Sequence, residues 1–331
     1  MVQHRWIIVV LAVSLLLLPS AGMAQRRGDI PRVGVLSPAP PYDQQSPATC
    51  YTGFQQGLRD LGYVEGQNIT LEYRFAEHQV DRLPALATEV VRLAPDVIWT
   101  YTDQAARAAK QATTTIPIVV GVATDLVEPG LLASLAHPGG NLTGMELRTA
   151  ELMGKRLELL KEAIPTIPRV AVLVDPAVPT HARIPGNIER DAHALGVRLQ
   201  RVDASDSGAF EATFAAMVQA RTDALMIVES ALFGRNRHRL LELAVRHRLP
   251  TMSGDRSFAE AGSLMSYGAD LREVCRRSAV HVDKILKGTK PANIPVERAD
   301  KFSLVVNLKT AQVLGLTLSP TFLFQADEVI Q

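Results

Sequence analysis

Short apolar runs closed by turn signals alternate along this chain with longer stretches whose apolar residues recur every three or four positions. Runs of the first kind read as buried parallel strands, and stretches of the second kind as amphipathic helices. Pro31-Arg32-Val33-Gly34-Val35-Leu36 is such a run, rich in valine and entered through a proline. In the helix expected after it, Phe54, Leu58 and Leu61 share one face. Leu83, Leu86, Val90 and Leu93 share a face of the next, with Pro84 in the first turn, where proline is tolerated. Met153, Leu157, Leu160 and Ile164 form the corresponding stripe of a helix near the middle of the chain.

The pattern is written twice. Pro168-Arg169-Val170-Ala171-Val172-Leu173 repeats the opening run, and each copy leads into a helix that ends in Leu-Gly, at Leu61-Gly62 and Leu195-Gly196. The glycine suits the left-handed position that closes a helix. A strand introduced by Asp follows in each half, Asp96-Val97-Ile98-Trp99 and Asp223-Ala224-Leu225-Met226-Ile227-Val228. Then comes a strand that starts at Pro, Pro117-Ile118-Val119-Val120 and Pro250-Thr251-Met252. Matching features lie about 127 to 137 residues apart, in the same order, which marks an internal repeat. Strand alternating with helix gives parallel sheets covered on both faces, so the expected fold is α/β with two doubly wound parallel-sheet lobes. The chain runs on past the second copy. Leu264 to Tyr267 reads as one more strand, Leu271 to Lys287 as a long helix and Phe302 to Val306 as a final strand, so the chain is expected to cross back between lobes.

The N-terminus bears on compartment. Arg5 precedes an apolar run from Trp6 to Leu18, then Pro19 and the small-residue tail Ser20-Ala21-Gly22-Met23-Ala24. This reads as a secretory signal peptide, residues 1–24, cut after Ala24. A membrane-spanning helix needs about 20 apolar residues, more than this run has. No Cys follows the run until Cys50, so no lipid anchor is expected, and the mature protein should be free in a bacterial periplasm, with no stable membrane insertion. Arg5 is the leader's only charge apart from its His, so cleavage takes the formal charge from +1 to zero. That balance gives no reason to expect nucleic acid as a partner. The 2 cysteines are expected to be free thiols, Cys275 sharing a buried helix face with Ala279, Val282 and Leu286, although a bridge between Cys50 and Cys275 remains open.

Enzyme signatures are missing. Gly34 is followed by Val35-Leu36-Ser37 rather than a dinucleotide fingerprint, and no P-loop, G-x-S-x-G elbow or H-E-x-x-H helix occurs. Neither catalytic residues, cofactor nor metal are therefore expected. The His residues, His181, His193, His238 and His247 among them, lack metal-ligand spacing and read as solvent-facing, as does the basic run Arg235-Asn236-Arg237-His238-Arg239.

One set of segments carries a family resemblance. Leu58-Arg59-Asp60-Leu61-Gly62-Tyr63-Val64-Glu65-Gly66-Gln67-Asn68-Ile69, Asp81 to Ala87, His137-Pro138-Gly139-Gly140-Asn141-Leu142-Thr143-Gly144 and Gly154 to Lys161 resemble one branch of the ABC-transporter substrate-binding proteins. So do Gly262 to Gly268, Val282 to Gly288 and Asn307 to Ala311. The resemblance spans the mature chain and implies a type I periplasmic-binding-protein fold with three crossovers, the helix after Gly268 rejoining the first lobe and the last strand the second. It implies lobes of residues 25–146 plus 266–299 and 147–265 plus 300–331, hinged near Leu147, Met265 and Asp300. Known relatives include binders of aromatic amino acids, so an amino acid or organic acid is the implied ligand class, with ABC permease and ATPase subunits as partners of a monomer. The chain departs from its relatives at Thr100-Tyr101-Thr102-Asp103-Gln104, where they place small residues and a proline. It also departs at Asp175, where many have Asn, and at Ala123-Thr124-Asp125-Leu126, where many have Gly-Asp-Pro.

Candidate ligand-binding residues follow from the rule that open parallel sheets bind ligands beyond the carboxyl ends of their strands. The first lobe offers Ser37, Thr100, Tyr101, Thr102, Thr124 and Asp125; the second offers Asp175, Glu229, Asp255 and Tyr267. Thr102 or Asp103 is expected to cap the next helix, whose free amides would join the Thr100 and Thr102 hydroxyls around a carboxylate. Asp125, Asp175 and Glu229 are the candidates for an ammonium, and Tyr101 and Tyr267 for stacking. Asp125 ranks first because the family pattern keeps an acid there. A solute receptor for import is the leading function, ahead of a periplasmic sensor acting on a membrane receptor, with an enzyme last.

Overall fold

A computed structural model describes residues 30–39, 50–127 and 130–331; the expected leader lies outside them. In chain order the first half runs β1 Arg32–Ser37, α1 Cys50–Asp60, β2 Thr70–Phe75, α2 Leu83–Arg92, β3 Val97–Thr100, α3 Asp103–Ala112, β4 Ile118–Ala123 and β5 Leu142–Glu146. The second continues α4 Thr149–Ala163, β6 Arg169–Val174, α5 Ile184–Ala194, β7 Arg198–Asp203, α6 Phe210–Gln219, β8 Ala224–Ile227, α7 Ala231–Arg235, α8 Arg237–Arg246, β9 Thr251–Ser253, α9 Arg256–Glu260 and β10 Met265–Gly268. The tail is α10 Leu271–Leu286, β11 Glu297–Arg298, β12 Ser303–Asn307, α11 Leu308–Leu314, α12 Pro320–Phe324 and β13 Glu328–Ile330.

These strands form two sheets, ordered β11-β5-β4-β3-β1-β2 and β13-β12-β10-β9-β8-β6-β7. Every described pairing between named strands is parallel except β10 with β12. Both faces of each sheet are covered, and the period of two along the strands decides which residue goes where. In the first sheet Val33, Val35, Val97 and Trp99 pack with α1 and α10, while Leu36, Ile98, Ile118 and Val120 pack with α2 and α3. In the second, Val170, Val172, Ala224 and Met226 face α4 and α5, while Ala171, Leu173, Leu225 and Ile227 face α6 and α8. The chain passes from the first sheet to the second after β5, back after β10, and again to the second between β11 and β12. This is the doubly wound, three-crossover α/β fold.

The repeat extends to individual hydrogen bonds. Asp96 accepts the amide of Arg32 at 2.8 Å and Asp223 accepts that of Arg169 at 3.1 Å, so the Asp before each third strand ties down the start of the first. Gly62 and Gly196 both adopt positive φ, at 87° and 64°, as the Leu-Gly endings predict.

Three features differ from expectation. Strands β2, β5, β7, β11 and β13 add to the expected set, and four of these are the sheet edges. Edge strands alternate polar with apolar residues, as in Thr70-Leu71-Glu72-Tyr73-Arg74-Phe75, and so lack the solid apolar run of a central strand. Leu61 is exposed rather than on the packed face with Phe54 and Leu58. Cys50 and Cys275 form a disulfide, with Cα atoms 5.2 Å apart, instead of two free thiols. The bond joins the start of α1 to α10, and these helices lie so close that a Cβ on Gly53 would sit 2.1 Å from the Arg272 carbonyl oxygen. Trp99 anchors the same layer, stacked on Phe54 at 4.3 Å with its Nε1–H donating to Ser278 Oγ at 2.9 Å.

Candidate functional site

Loops at the carboxyl ends of the two sheets meet. Gln104 Nε2–H donates to the Ala177 carbonyl at 3.3 Å, and the hydroxyls of Thr124 and Thr180 lie 3.1 Å apart. The two rims therefore touch at these points, and all ten sequence candidates lie on one rim or the other.

On the first rim, Ser37 closes a turn, donating to the Ala39 carbonyl at 2.8 Å and accepting the Ala39 amide at 3.1 Å. Thr100 is fully buried, and its hydroxyl and that of Thr102 have no hydrogen-bond partner. Thr102 also holds φ 78°, a region that a β-branched residue enters only under constraint. It occupies the cap position of α3 without a side-chain bond to the helix. Instead the carboxylate of Asp103 turns back on the amides of residues 103 and 104 and accepts from Thr124 Oγ1 at 3.3 Å. Burial, opposed by these bonds and by Arg107, holds the Asp103 carboxyl above the usual range. Thus the hydroxyls expected around an anion are open, whereas the first amides of the helix face an internal carboxylate. Asp125 accepts the Val127 amide at 3.0 Å in a tight turn beside Glu146, whose buried carboxyl is likewise raised by desolvation. Burial is also the main reason that the Tyr101 phenol is raised; the second is the Asp255 carboxylate, which acts on it from the opposite rim.

The second rim is a bonded chain. Asp175 accepts the Ala177 amide at 2.9 Å and gives its own amide to His181 Nδ1 at 3.0 Å. With Nδ1 accepting, Nε2 carries the proton and donates to the Glu229 carbonyl at 3.1 Å. Expected at the solvent, His181 is 0% exposed: it ties two loops together, and burial lowers its pKa. Arg156 on α4 is buried; its Nη1 lies 3.1 Å from Glu229 Oε1, and its Nε donates to the Tyr267 carbonyl at 2.8 Å. Gly254 makes room for this pair, because a Cβ there would lie 1.7 Å from Arg156 Nη2 and 2.0 Å from Glu229 Oε1. Asp255 caps α9 by accepting the Ser257 amide at 2.9 Å, and burial raises its carboxyl. The ring of Tyr267 packs 6.2 Å from Phe302. Arg237, read as part of a solvated face, is buried and donates to the Gly234 carbonyl at 2.9 Å, while Arg235, His238 and Arg239 are exposed.

Sequence reasoning missed Arg156, His181, Thr180 and Gln104 as rim residues. Only Arg156 left a signal: a charge between Met153, Leu157 and Leu160 on an otherwise apolar helix face. Among the described residues, no group of three or more His, Cys, Asp or Glu is placed to hold a metal ion, and no helix is long and apolar enough to cross a membrane.

Comparison with known proteins places this architecture. Residues 41–330 match the family model described as ABC transporter substrate binding protein. The chain belongs to that family. This substrate-binding protein is 24% identical over 266 residues to the tyrosine-binding protein of Clostridioides difficile, covering 80% of this chain and 76% of that one. A conserved domain protein from Vibrio cholerae superposes with a TM-score of 0.84 at 25% identity, over 91% of this chain and 100% of that one. The ABC domain of Streptococcus pneumoniae in complex with L-Trp gives 0.84 at 22% identity over the same shares. A leucine-binding protein from Thermotoga maritima shares the fold with a TM-score of 0.60 at 11% identity, covering 83% of this chain and 95% of that one. The substrate-binding protein thus has the two-lobed architecture of type I periplasmic binding proteins.

Proposed function

We propose that this protein is an exported receptor that captures a small amino acid between its lobes and delivers it to the permease and ATPase subunits of an ABC importer. The observation that carries this reading is the pair of buried, partnerless hydroxyls of Thr100 and Thr102, on a rim that faces Asp175, Glu229 and Asp255. A buried hydroxyl without a partner is costly, by about 1–3 kcal/mol, so it marks a place where a bond is completed by something else. Hydroxyls on one side and carboxylates on the other suit the two ends of a zwitterion. The tyrosine-binding relative and the L-Trp complex support an amino acid over an organic acid. Both ring nitrogens of His181 are engaged by the backbone, so this histidine serves as a tie between two loops. The lobes are residues 25–146 plus 266–299 and 147–265 plus 300–331, and the leader delivers the protein to the periplasm, where it acts as a monomer.

Thermal-shift and calorimetric titration of refolded protein against L-tyrosine, L-tryptophan and L-leucine tests the reading. One of them should raise stability in proportion to RT ln(1 + [L]/Kd). Thr100→Val should weaken that ligand about tenfold while leaving circular dichroism unchanged. Failure of all three at millimolar concentration would overturn the amino-acid reading. Delivery is tested by uptake of the identified ligand in cells with and without this gene.

A further inference from the structure

We infer that His181 is the positioning residue for lobe closure: neutral, it shapes the loop through which the second rim meets the first, and protonation at Nδ1 releases that loop. The inference rests on the proposed capture of a ligand between the lobes and names a residue that controls it.

Both rim contacts described above come from one short segment of the second lobe. Gln104 reaches the Ala177 carbonyl and Thr124 meets the Thr180 hydroxyl, so residues 175–183 supply the second side of each. The segment leaves β6 at Asp175, turns through Val178, whose amide donates to the Asp175 carbonyl at 3.0 Å, and ends in the 3₁₀ turn Pro179–Arg183. Pro176, Ala177, Pro179 and Ala182 are exposed, so its shape depends on what lies beneath. His181 lies there, fully buried. Its Nδ1 accepts the amide of Asp175, where the segment begins, and its Nε2 donates to the Glu229 carbonyl, just past the end of β8. The Asp175 carboxylate carries the chain on to the Ala177 amide at 2.9 Å, and the Ala177 carbonyl is the group that Gln104 reaches. His181, Asp175, Ala177 and Gln104 thus form one line of bonds from the interior of the second lobe to the first.

The same geometry makes the tie conditional. A proton added at Nδ1 would set an N–H against the N–H of Asp175, leaving buried donors without an acceptor, which costs more than the lost bond alone. The imidazolium would also compete with the Ala177 amide for the Asp175 carboxylate. The charged groups around the ring are Asp175 on its own segment, Glu229 on the loop after β8 and Arg201 on β7. The two carboxylates favour the cation and Arg201 opposes it. Glu229 is already paired with the buried Arg156, and Arg201 with Asp203, while Arg201 Nη1 donates to the Ala182 carbonyl at 3.1 Å. Burial outweighs the carboxylates and holds the pKa of the ring below its ordinary 6.5. A group whose pKa is lowered in one arrangement favours that arrangement fully above its ordinary value and loses the effect as pH falls. Closure, and with it ligand affinity, should therefore weaken on acidification through this one ring.

Calorimetric titration of the mature protein with L-tyrosine and L-tryptophan between pH 7.5 and 4.5, beside His181→Asn and His181→Leu, tests this, with circular dichroism confirming the fold at each pH. Asn places an oxygen where Nδ1 stands, keeps the Asp175 bond and cannot be protonated; Leu keeps neither bond. Wild type should lose about tenfold in affinity over that range, His181→Asn should lose several-fold less, and His181→Leu should bind about tenfold more weakly than wild type at pH 7.5. The raised carboxyls of Asp103 and Asp255 are common to all three proteins, so the difference between profiles belongs to His181. Hydrogen exchange of the ligand-free proteins supplies a second readout. Protection of residues 175–183 and of the first turn of α3, corrected for the intrinsic effect of pH, should fall together in wild type and hold in His181→Asn. Parallel affinity profiles for wild type and His181→Asn, or a His181→Leu variant that binds as tightly as wild type at pH 7.5, overturn the inference and leave the amino-acid reading intact. If neither amino acid binds, that reading fails and exchange alone decides: loss of protection in wild type but not in His181→Asn upholds the role of His181, and equal protection ends it.

Discussion

Removing the Cys50–Cys275 bond should destabilise the first lobe and leave the second nearly untouched. The cysteines are 225 residues apart in sequence, so the bond closes a very long loop in the unfolded chain. In the chain-entropy treatment such a loop corresponds to about 5 kcal/mol, and structure left in the unfolded chain brings native disulfides into the range of about 2–5 kcal/mol. The effect should be local because both ends of the bond lie on α1 and α10, which pack together on one face of the first sheet. The molecule carries its own reporter. Trp99 stacks on Phe54 in that layer, and protein beginning at Gln25, the proposed mature N-terminus, lacks the second tryptophan, Trp6, so its tryptophan fluorescence follows the first lobe alone. Cys50 and Cys275 are buried, so the bond should be reduced in denaturant and stability compared on refolding from urea. With a slope of about 2 kcal/mol per molar urea, the Trp99 midpoint should fall by about 1–2.5 M. Circular dichroism, which sees both lobes, should show a second transition that does not move. An unchanged Trp99 midpoint, or two free thiols titrated in unreduced, unfolded protein, would refute the reasoning.

Two further outcomes are expected. Gly53→Ala should lower the same Trp99 midpoint by an amount equivalent to about 1–3 kcal/mol, because its methyl group meets the Arg272 backbone rather than a side chain that could move aside; a midpoint equal to wild type would show that the helices can part freely. Burial, aided by Lys284, holds His281 down at about 4, below its ordinary 6.5, so the unfolded chain takes up its proton first as pH falls. Stability from this group is complete above pH 6.5 and is lost between 6.5 and 4, by about 3 kcal/mol in all. The buried carboxyls of Asp103, Glu146 and Asp255, raised by desolvation, act in the opposite sense, each favouring the fold as it protonates. Comparing wild type with His281→Gln between pH 4.5 and 7 isolates the histidine: the variant should lose less stability on acidification, and equal losses would count against this account.

The sequence by itself determined the architecture. Periodicity is local, so central strands such as Val33 to Leu36 and Val170 to Leu173, the stripes of α2 and α4, and the Leu-Gly helix ends could be read without knowing what packs against them. The internal repeat then implied two lobes, and segments such as Leu58 to Ile69 pointed to the family. The fold rule also put the candidate residues at the strand ends, because strand order and direction alone decide which loops share a rim. Tertiary structure decided what each of those residues is committed to. The sheet edges went unread because their polar faces break the apolar run. The disulfide needed two helices 225 residues apart to come within 5.2 Å, a distance that no local pattern encodes. Pairing of Arg156 with Glu229, the clasp of His181 between two loops, and the open hydroxyls of Thr100 and Thr102 depend on burial and on partners from separate elements. A charge or hydroxyl looks the same in a sequence whether it is satisfied or waiting for a ligand; only its three-dimensional neighbours settle which, because the free energy of a buried polar group is set by the partners it finds there.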